Sequence, residues 1–305
     1  MEPFLALVGP TASGKTEASL RIAEAIGAEI LSIDSMLVYR GMDVGTAKPT
    51  AEQRARIPHH LLDLVEPSEA FSVAAFQAAA REAAEDIRRR GARPLLVGGS
   101  GLYVRAVVDE LAFPGTEPET RDILEGEAAA LGPERMHRRL AELDPVAASK
   151  IEPANVRRIV RALEVAAITG NTFGSYAAAW ESYPPDHVRA AGIRLTPEQL
   201  WGRVDERVQE MLDAGWLEEV EKLVAGGFGG WLTSTQAIGY AELARHLEGE
   251  LSLEDAVGRT VKRTRHLARR QMAWFRRDPR IRWFDAGMEG ATSIVDELVA
   301  YLGHT

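Results

Sequence analysis

The chain has 305 residues, 46% of them hydrophobic and 27% charged, with a formal net charge of −9 and no cysteine. That length and balance exclude a disordered chain and allow one large core or two moderate ones, and the missing cysteines exclude disulfides, thiolate nucleophiles and thiolate zinc sites. No apolar run approaches the ~18 residues that cross a bilayer, and Met1-Glu2-Pro3 lacks the basic start of a secretory signal, so the cytoplasm is the expected compartment.

Phe4 to Val8 is a short apolar run stopped by Gly9-Pro10, which suits a buried strand. Gly9-Pro10-Thr11-Ala12-Ser13-Gly14-Lys15-Thr16 follows it, and a helical pattern from Glu17 to Ile26 ends at Gly27. Strand before and helix after make this a phosphate-binding loop rather than a chance glycine turn. Its glycines let backbone N–H groups wrap phosphate oxygens, and the helix N-terminus adds a favourable dipole. Lys15 supplies a point charge, and the Thr16 hydroxyl is placed for a magnesium ion.

Glu29 to Ile33 is a second strand candidate ending at Asp34, and open α/β sheets bind ligands at such strand ends. If the sheet is wound in the usual way, Asp34 lies beside the first strand's loop. Three readings of it stay open: a magnesium-holding carboxylate, a general base, or the cap of a turn. Asp63, after Leu61-Leu62, is a weaker metal candidate. Phe71 to Arg90 predicts a long alanine-rich helix, and Pro94 to Val97 a strand opening into Gly98-Gly99-Ser100-Gly101. Those glycines mark either a close backbone approach or a tight turn.

From Gly115 to Asp186 the texture changes to helix upon helix, with candidates over Pro118–Leu131, Pro133–Leu143 and Asn155–Thr169. Val188 to Leu195 predicts a strand returning to the sheet. The expected fold is therefore α/β, with a parallel sheet in a P-loop nucleoside-triphosphate-hydrolase-like core (1–114 and 187–305) and a helical insertion domain (115–186). Arg157 and Arg161 share one face of the third insertion helix, as a solvated face or as phosphate contacts. Ile281 to Phe284 is a late strand candidate.

Charge is unevenly spread. Arg259 to Arg282 holds ten Lys/Arg and a single acid, Asp278, a local charge of +9, which leaves −18 for the rest. A patch rather than the total sets the field that a polyanion meets. Lys262, Arg269 and Arg270 run into Gln271-Met272-Ala273-Trp274-Phe275, and this mixture of cations and aromatics favours phosphate contact with base stacking. The alternative is a helix whose arginines pair with acids elsewhere.

With these residues assembled, the chain resembles the tRNA dimethylallyltransferases (tRNA isopentenyltransferases) over nearly its whole length. The motifs in order are GPTASGKT at Gly9, DSMLVYRGMDVGTAKP at Asp34, PHHLLDLVEPSEAFS at Pro58, GGSGLYVRA at Gly98, RRIVRALEV at Arg157, QAIGY at Gln236 and ARRQMAWFRR at Ala268. The resemblance implies transfer of a dimethylallyl group from dimethylallyl diphosphate to N6 of adenosine 37, in tRNAs that read codons beginning with U. Asp34 then looks like the base for the N6 proton, and the loop Gly9 to Thr16 like the diphosphate site, with Thr11 and Lys15 in catalytic roles and magnesium at Thr16. Ser35, Met36, Leu37 and Ser100 are expected around the adenosine. Arg121, the run Arg157-Arg158-Ile159-Val160-Arg161, Gln236, Tyr240, Lys262, Arg269, Arg270 and Gln271 look like tRNA contacts, Arg207 like a substrate-binding catalytic arginine, and His59 like a neighbour of the site. A monomer that binds tRNA and no membrane is expected. The competing readings are an adenylate prenyltransferase, a P-loop nucleotide kinase or ATPase, and a non-catalytic RNA-binding module.

Overall fold

Successive residues of a strand point to opposite faces, and in β1 (Phe4–Val8) both faces are apolar. Leu5 and Leu7 enter one core with α1 (Lys15–Ile26) and the C-terminal helix α13 (Val295–Gly303). Ala6 and Val8 enter the other, with α3 (Val73–Arg89) and α4 (Gly101–Val108). A sheet covered on both sides reads as continuous apolar runs, which is why these strands were legible. In this computed structural model, described for residues 2–109, 111–176, 180 and 182–304, six strands form one parallel sheet in the order β3-β2-β4-β1-β5-β6. The others are β2 (Ala28–Ile33), β3 (His59–His60), β4 (Arg93–Gly98), β5 (Val188–Arg194) and β6 (Ile281–Asp285). The two-residue β3 and the six-residue helix α2 (Ala51–Arg56) are too short to show a period.

That order corrects one expectation. β4 lies between β1 and β2, so Asp34 is one strand removed from the phosphate loop rather than beside it. Gly98 closes the distance: a side chain there would stand 2.0 Å from the Ile33 carbonyl oxygen. The absent side chains at Gly98 and Gly99 let Ile33 and Gln271 pack against the end of β4, and both glycines line one cavity with Thr11 and Asp34.

The chain divides into two compact units, Met1–Asp109 with Pro184–Thr305, and Glu110–Tyr183. The sheet unit also carries α9 (Pro197–Asp213), α10 (Trp216–Ala225), α11 (Tyr240–Leu247) and the 23-residue α12 (Leu253–Phe275), which holds most of the basic segment. Among the described residues no helix is long and apolar enough to cross a membrane.

The second unit consists of α5 (Pro118–Leu131), α6 (Pro133–Leu143), α7 (Pro145–Lys150) and α8 (Val156–Thr169) around Leu124, Met136, Leu140, Ile159, Val160 and Leu163. Glu164, fully buried in α8 (0% exposed), takes hydrogen bonds from Arg121 (2.5 Å), Arg161 (2.7 Å) and the Glu117 amide (3.1 Å). Burial alone would raise its carboxyl, yet Arg161, Arg121 and that amide hold it below the ordinary range. A depressed carboxyl stabilises the fold at neutral pH and loses that contribution as pH falls through its folded value. Glu164→Ala is expected to cost about 2–4 kcal/mol in urea denaturation, below the full buried-pair penalty because both arginines are partly solvated. A loss under about 0.5 kcal/mol, the size of a surface substitution, would show that the cluster does not hold the unit together.

Candidate active site

The loop between β1 and α1 is held open by its own glycine and by braces from distant helices. Gly14, with φ 81°, occupies the left-handed conformation that caps α1, and a side chain there would sit 3.0 Å from the Ala291 amide nitrogen. Ala12 is also left-handed, at φ 61°, a conformation that costs a non-glycine residue about 1–2 kcal/mol. Arg203 on α9 donates to the Ala12 carbonyl at 2.7 Å, Ala291 donates to the Ser13 carbonyl at 2.9 Å, and the Thr11 amide donates to Oε1 of Gln271 on α12 at 2.8 Å. Sequence reasoning marked neither Arg203 nor Gln271 as a brace, because nothing local in sequence signals a contact made across 191 or 260 residues.

Lys15 Nζ donates to the Pro10 carbonyl (2.6 Å) and to Ser13 Oγ (3.2 Å). Burial and the neighbouring Arg207 lower its ammonium to about 7, against the pull of Asp34. Asp34, half-buried, accepts from the Met36 amide at 2.8 Å. Burial raises its carboxyl above the ordinary range, outweighing the Met36 amide, Arg207 and Lys15, which favour the anion. Arg207, projecting from α9, is pushed down by burial and partly restored by Asp34. The structure thus brings together two cations and a carboxylate of raised basicity. Asp34 therefore caps its own turn through the Met36 amide and also stands in the field of both cations.

Two cavities meet at Asp34 and Arg207. The first, about 900 Å³, is lined by Thr11 to Glu17, Asp34, His59, Gly98, Gly99 and Arg207. The second, about 670 Å³, is lined by Asp34, Ser35, Met36, Ser100, Gln236, Lys262, Arg269 and Arg270. Thr11, Asp34, Arg207 and Gln271 line both. One chamber is lined by the Thr11 to Glu17 loop and the other has a cationic wall, with the Asp34 carboxylate at their junction. His59 donates through Nδ1 to the Ile57 carbonyl (2.7 Å), and burial lowers its ring below the usual histidine range. Leu37 lines the first chamber, not the second.

Other sequence expectations require correction. Ile159 and Val160 are 0% and 3% exposed in the core of the helical unit, and Tyr240 is fully buried with its hydroxyl on Glu219 (2.6 Å). Their side chains cannot meet RNA. Arg121 and Arg161 are occupied by Glu164, whereas Arg157 and Arg158 make no ion pair among the described residues and are open to solvent. Asp63, the weaker metal candidate, is instead ion-paired: Lys48 (2.7 Å) and Arg54 (2.9 Å) take up its carboxylate and, against the effect of burial, hold it low. The basic segment is mixed. Arg263, Arg265 and Arg280 pair with Glu242, Asp205 and the Asp109–Asp278 pair. Lys262, Arg269 and Arg270 are exposed and make no ion pair among the described residues, although Arg269 lies 5.0 Å over the Trp201 ring.

No cluster of three acidic or histidine side chains that would hold a metal occurs among the described residues. The Thr16 hydroxyl, in the first turn of α1, makes no hydrogen bond among them. A free hydroxyl at this position fits magnesium in its usual phosphate-bound mode, where few oxygens come from the protein and the rest from ligand phosphates and water.

The chain also matches known proteins along most of its length. Residues 37–278 match the family model described as IPP transferase, and residues 3–63 match the one described as isopentenyl transferase. The chain is 48% identical over 290 residues to the tRNA dimethylallyltransferase of Kineococcus radiotolerans, covering 93% of this chain and 91% of that one. It is 42% identical over 308 residues to that of Carboxydothermus hydrogenoformans, covering 99% and 98%. Among solved structures it resembles the tRNA isopentenylpyrophosphate transferase of Bacillus halodurans (TM-score 0.70, 38% identity, 99% of this chain and 97% of that chain). It also resembles a eukaryotic dimethylallyltransferase acting on tRNA (TM-score 0.78, 28% identity, 93% and 74%).

Proposed function

The chain belongs to the IPP transferase family, and on that premise we propose that it is a tRNA dimethylallyltransferase whose donor is dimethylallyl diphosphate and whose acceptor is N6 of adenosine 37. The observation that carries this reading is the shared wall of the two cavities. A diphosphate in the loop chamber and a base entering the cationic chamber would meet at Asp34 and Arg207.

The adenine amine is a weak nucleophile because its lone pair is delocalised into the ring. Its attack on the allylic carbon needs alignment, proton removal and stabilisation of the leaving group. One C–N bond forms, the allylic C–O bond breaks with its electron pair leaving on diphosphate, and the N6 proton goes to Asp34. The loop amides, Lys15 and Arg207 offset the charge that develops on diphosphate. Magnesium held by Thr16 and the diphosphate would supply further charge neutralisation. A base stacked in a loop has to be flipped out to enter a chamber, and the exposed Lys262, Arg269 and Arg270 would hold the backbone around it.

The test is to incubate the protein with labelled dimethylallyl diphosphate, magnesium and either unmodified tRNA or AMP. Label is expected in tRNA. Label in AMP alone would favour an adenylate prenyltransferase, and none in either would remove the prenyl-transfer reading. For Lys262→Ala and Arg269→Ala, weaker RNA binding is expected, with the slope of log K against log salt reduced by about one for each phosphate that is no longer neutralised. An unchanged slope would make these side chains structural.

A further inference from the structure

α12 faces two ways. Lys262, Arg269 and Arg270 on it are exposed, but Gln271, the next residue, is only 9% exposed. Its Oε1 accepts from the Thr11 amide at 2.8 Å, and its Nε2 lies 2.3 Å from where a Cβ on Gly99 would stand. One turn earlier Ala268, fully buried, packs in a small cluster with Ala12, Leu200 and Val204. The helix that carries the free cations therefore grips two consecutive residues of the phosphate loop. Thr11 lines both cavities, and Ala12 is held in its left-handed conformation.

We propose that Gln271 is a positioning residue that couples the two ligands: RNA bound along α12 tightens diphosphate binding in the loop, and diphosphate tightens RNA binding by the same factor. The inference rests on the RNA-binding reading above. Its physical basis is ordering. Phosphate contacts that fix α12 also fix Gln271, and through it the Thr11 amide, so the second ligand meets a loop already set. Reciprocity follows from linkage.

The experiment titrates magnesium with inorganic diphosphate by calorimetry, with and without a saturating unmodified anticodon stem-loop RNA. In the wild-type protein the RNA is expected to lower the diphosphate Kd about tenfold, within the range of ordinary coupling. Gln271→Met keeps the bulk but removes the acceptor, and is expected to cut this coupling below about twofold at saturating RNA. Gln271→Glu keeps the acceptor and is expected to keep the coupling, with diphosphate weakened equally in both states. Equal weakening by Gln271→Met with and without RNA would make the residue merely structural and overturn the proposal. A measurement that needs no variant is hydrogen exchange at the Thr11 amide, which should slow when RNA is added; unchanged exchange overturns the proposal too. RNA binding without coupling removes this inference alone, whereas failure of the wild-type protein to bind the RNA removes the reading beneath it as well.

Discussion

Replacing Asp34 by alanine is expected to lower kcat by about 10²- to 10⁴-fold, the usual contribution of a positioned general base, with the Kd for tRNA nearly unchanged. The expectation follows from its place rather than from its residue type. Asp34 lines both cavities, and burial makes its carboxylate more basic than an exposed one, which suits proton abstraction. A second effect has a definite sign. Asp34 supports the protonated form of Lys15, so its removal should lower the Lys15 ammonium further and move the alkaline limb of kcat/KM to lower pH. Single-turnover rates with saturating tRNA, measured across pH, read both effects. Turnover within about threefold of wild type would remove Asp34 from the role of base, since even a weak general base contributes far more.

The second large effect belongs to Lys15. Lys15→Met should reduce kcat/KM for dimethylallyl diphosphate by about 10²- to 10³-fold, comparable to loss of one preorganised donor to a developing anion. The wild-type pH profile carries its own check, because kcat/KM reports ionisations of the free enzyme. Asp34 has to be ionised, so activity rises with pH through its raised value. Lys15 has to be protonated, so activity falls as pH passes about 7. The result is a bell. Lys15→Arg keeps a charge that does not titrate in this range and should flatten the alkaline limb while retaining part of the rate. An alkaline limb that persists in Lys15→Arg would assign that ionisation to another group.

The phosphate loop was legible because all of it is local: a strand, eight residues and a helix start, each with its own composition. The same holds for β1, β2, β4 and β5, whose apolar runs record burial on both faces. Gly98 and Gly99 were harder to read. Composition left a turn and a close approach equally open, and the neighbours that settle it, Ile33 and Gln271, come from another strand and from α12. The arginines of the basic segment look alike in sequence. Arg280 is buried between Asp109 and Asp278 while Arg270 faces solvent, because Asp109, distant in the chain, joins Asp278 on one and not the other.

By itself, then, the sequence determined the α/β fold class, the family, and the strand–loop–helix unit around Gly9 to Thr16, since local pattern and motif spacing carry that information. Only the tertiary structure decided that β4 separates Asp34 from that loop, that Gly98 and Gly99 admit Ile33 and Gln271 at close range while one cavity joins Asp34 to the loop, and that Arg203 and Gln271 brace it. It also withdrew Ile159, Val160 and Tyr240 from any RNA surface. The reason is the same in each case: burial, strand order and the pairing of charges depend on contacts between residues far apart in the chain, and no window of neighbouring residues contains them.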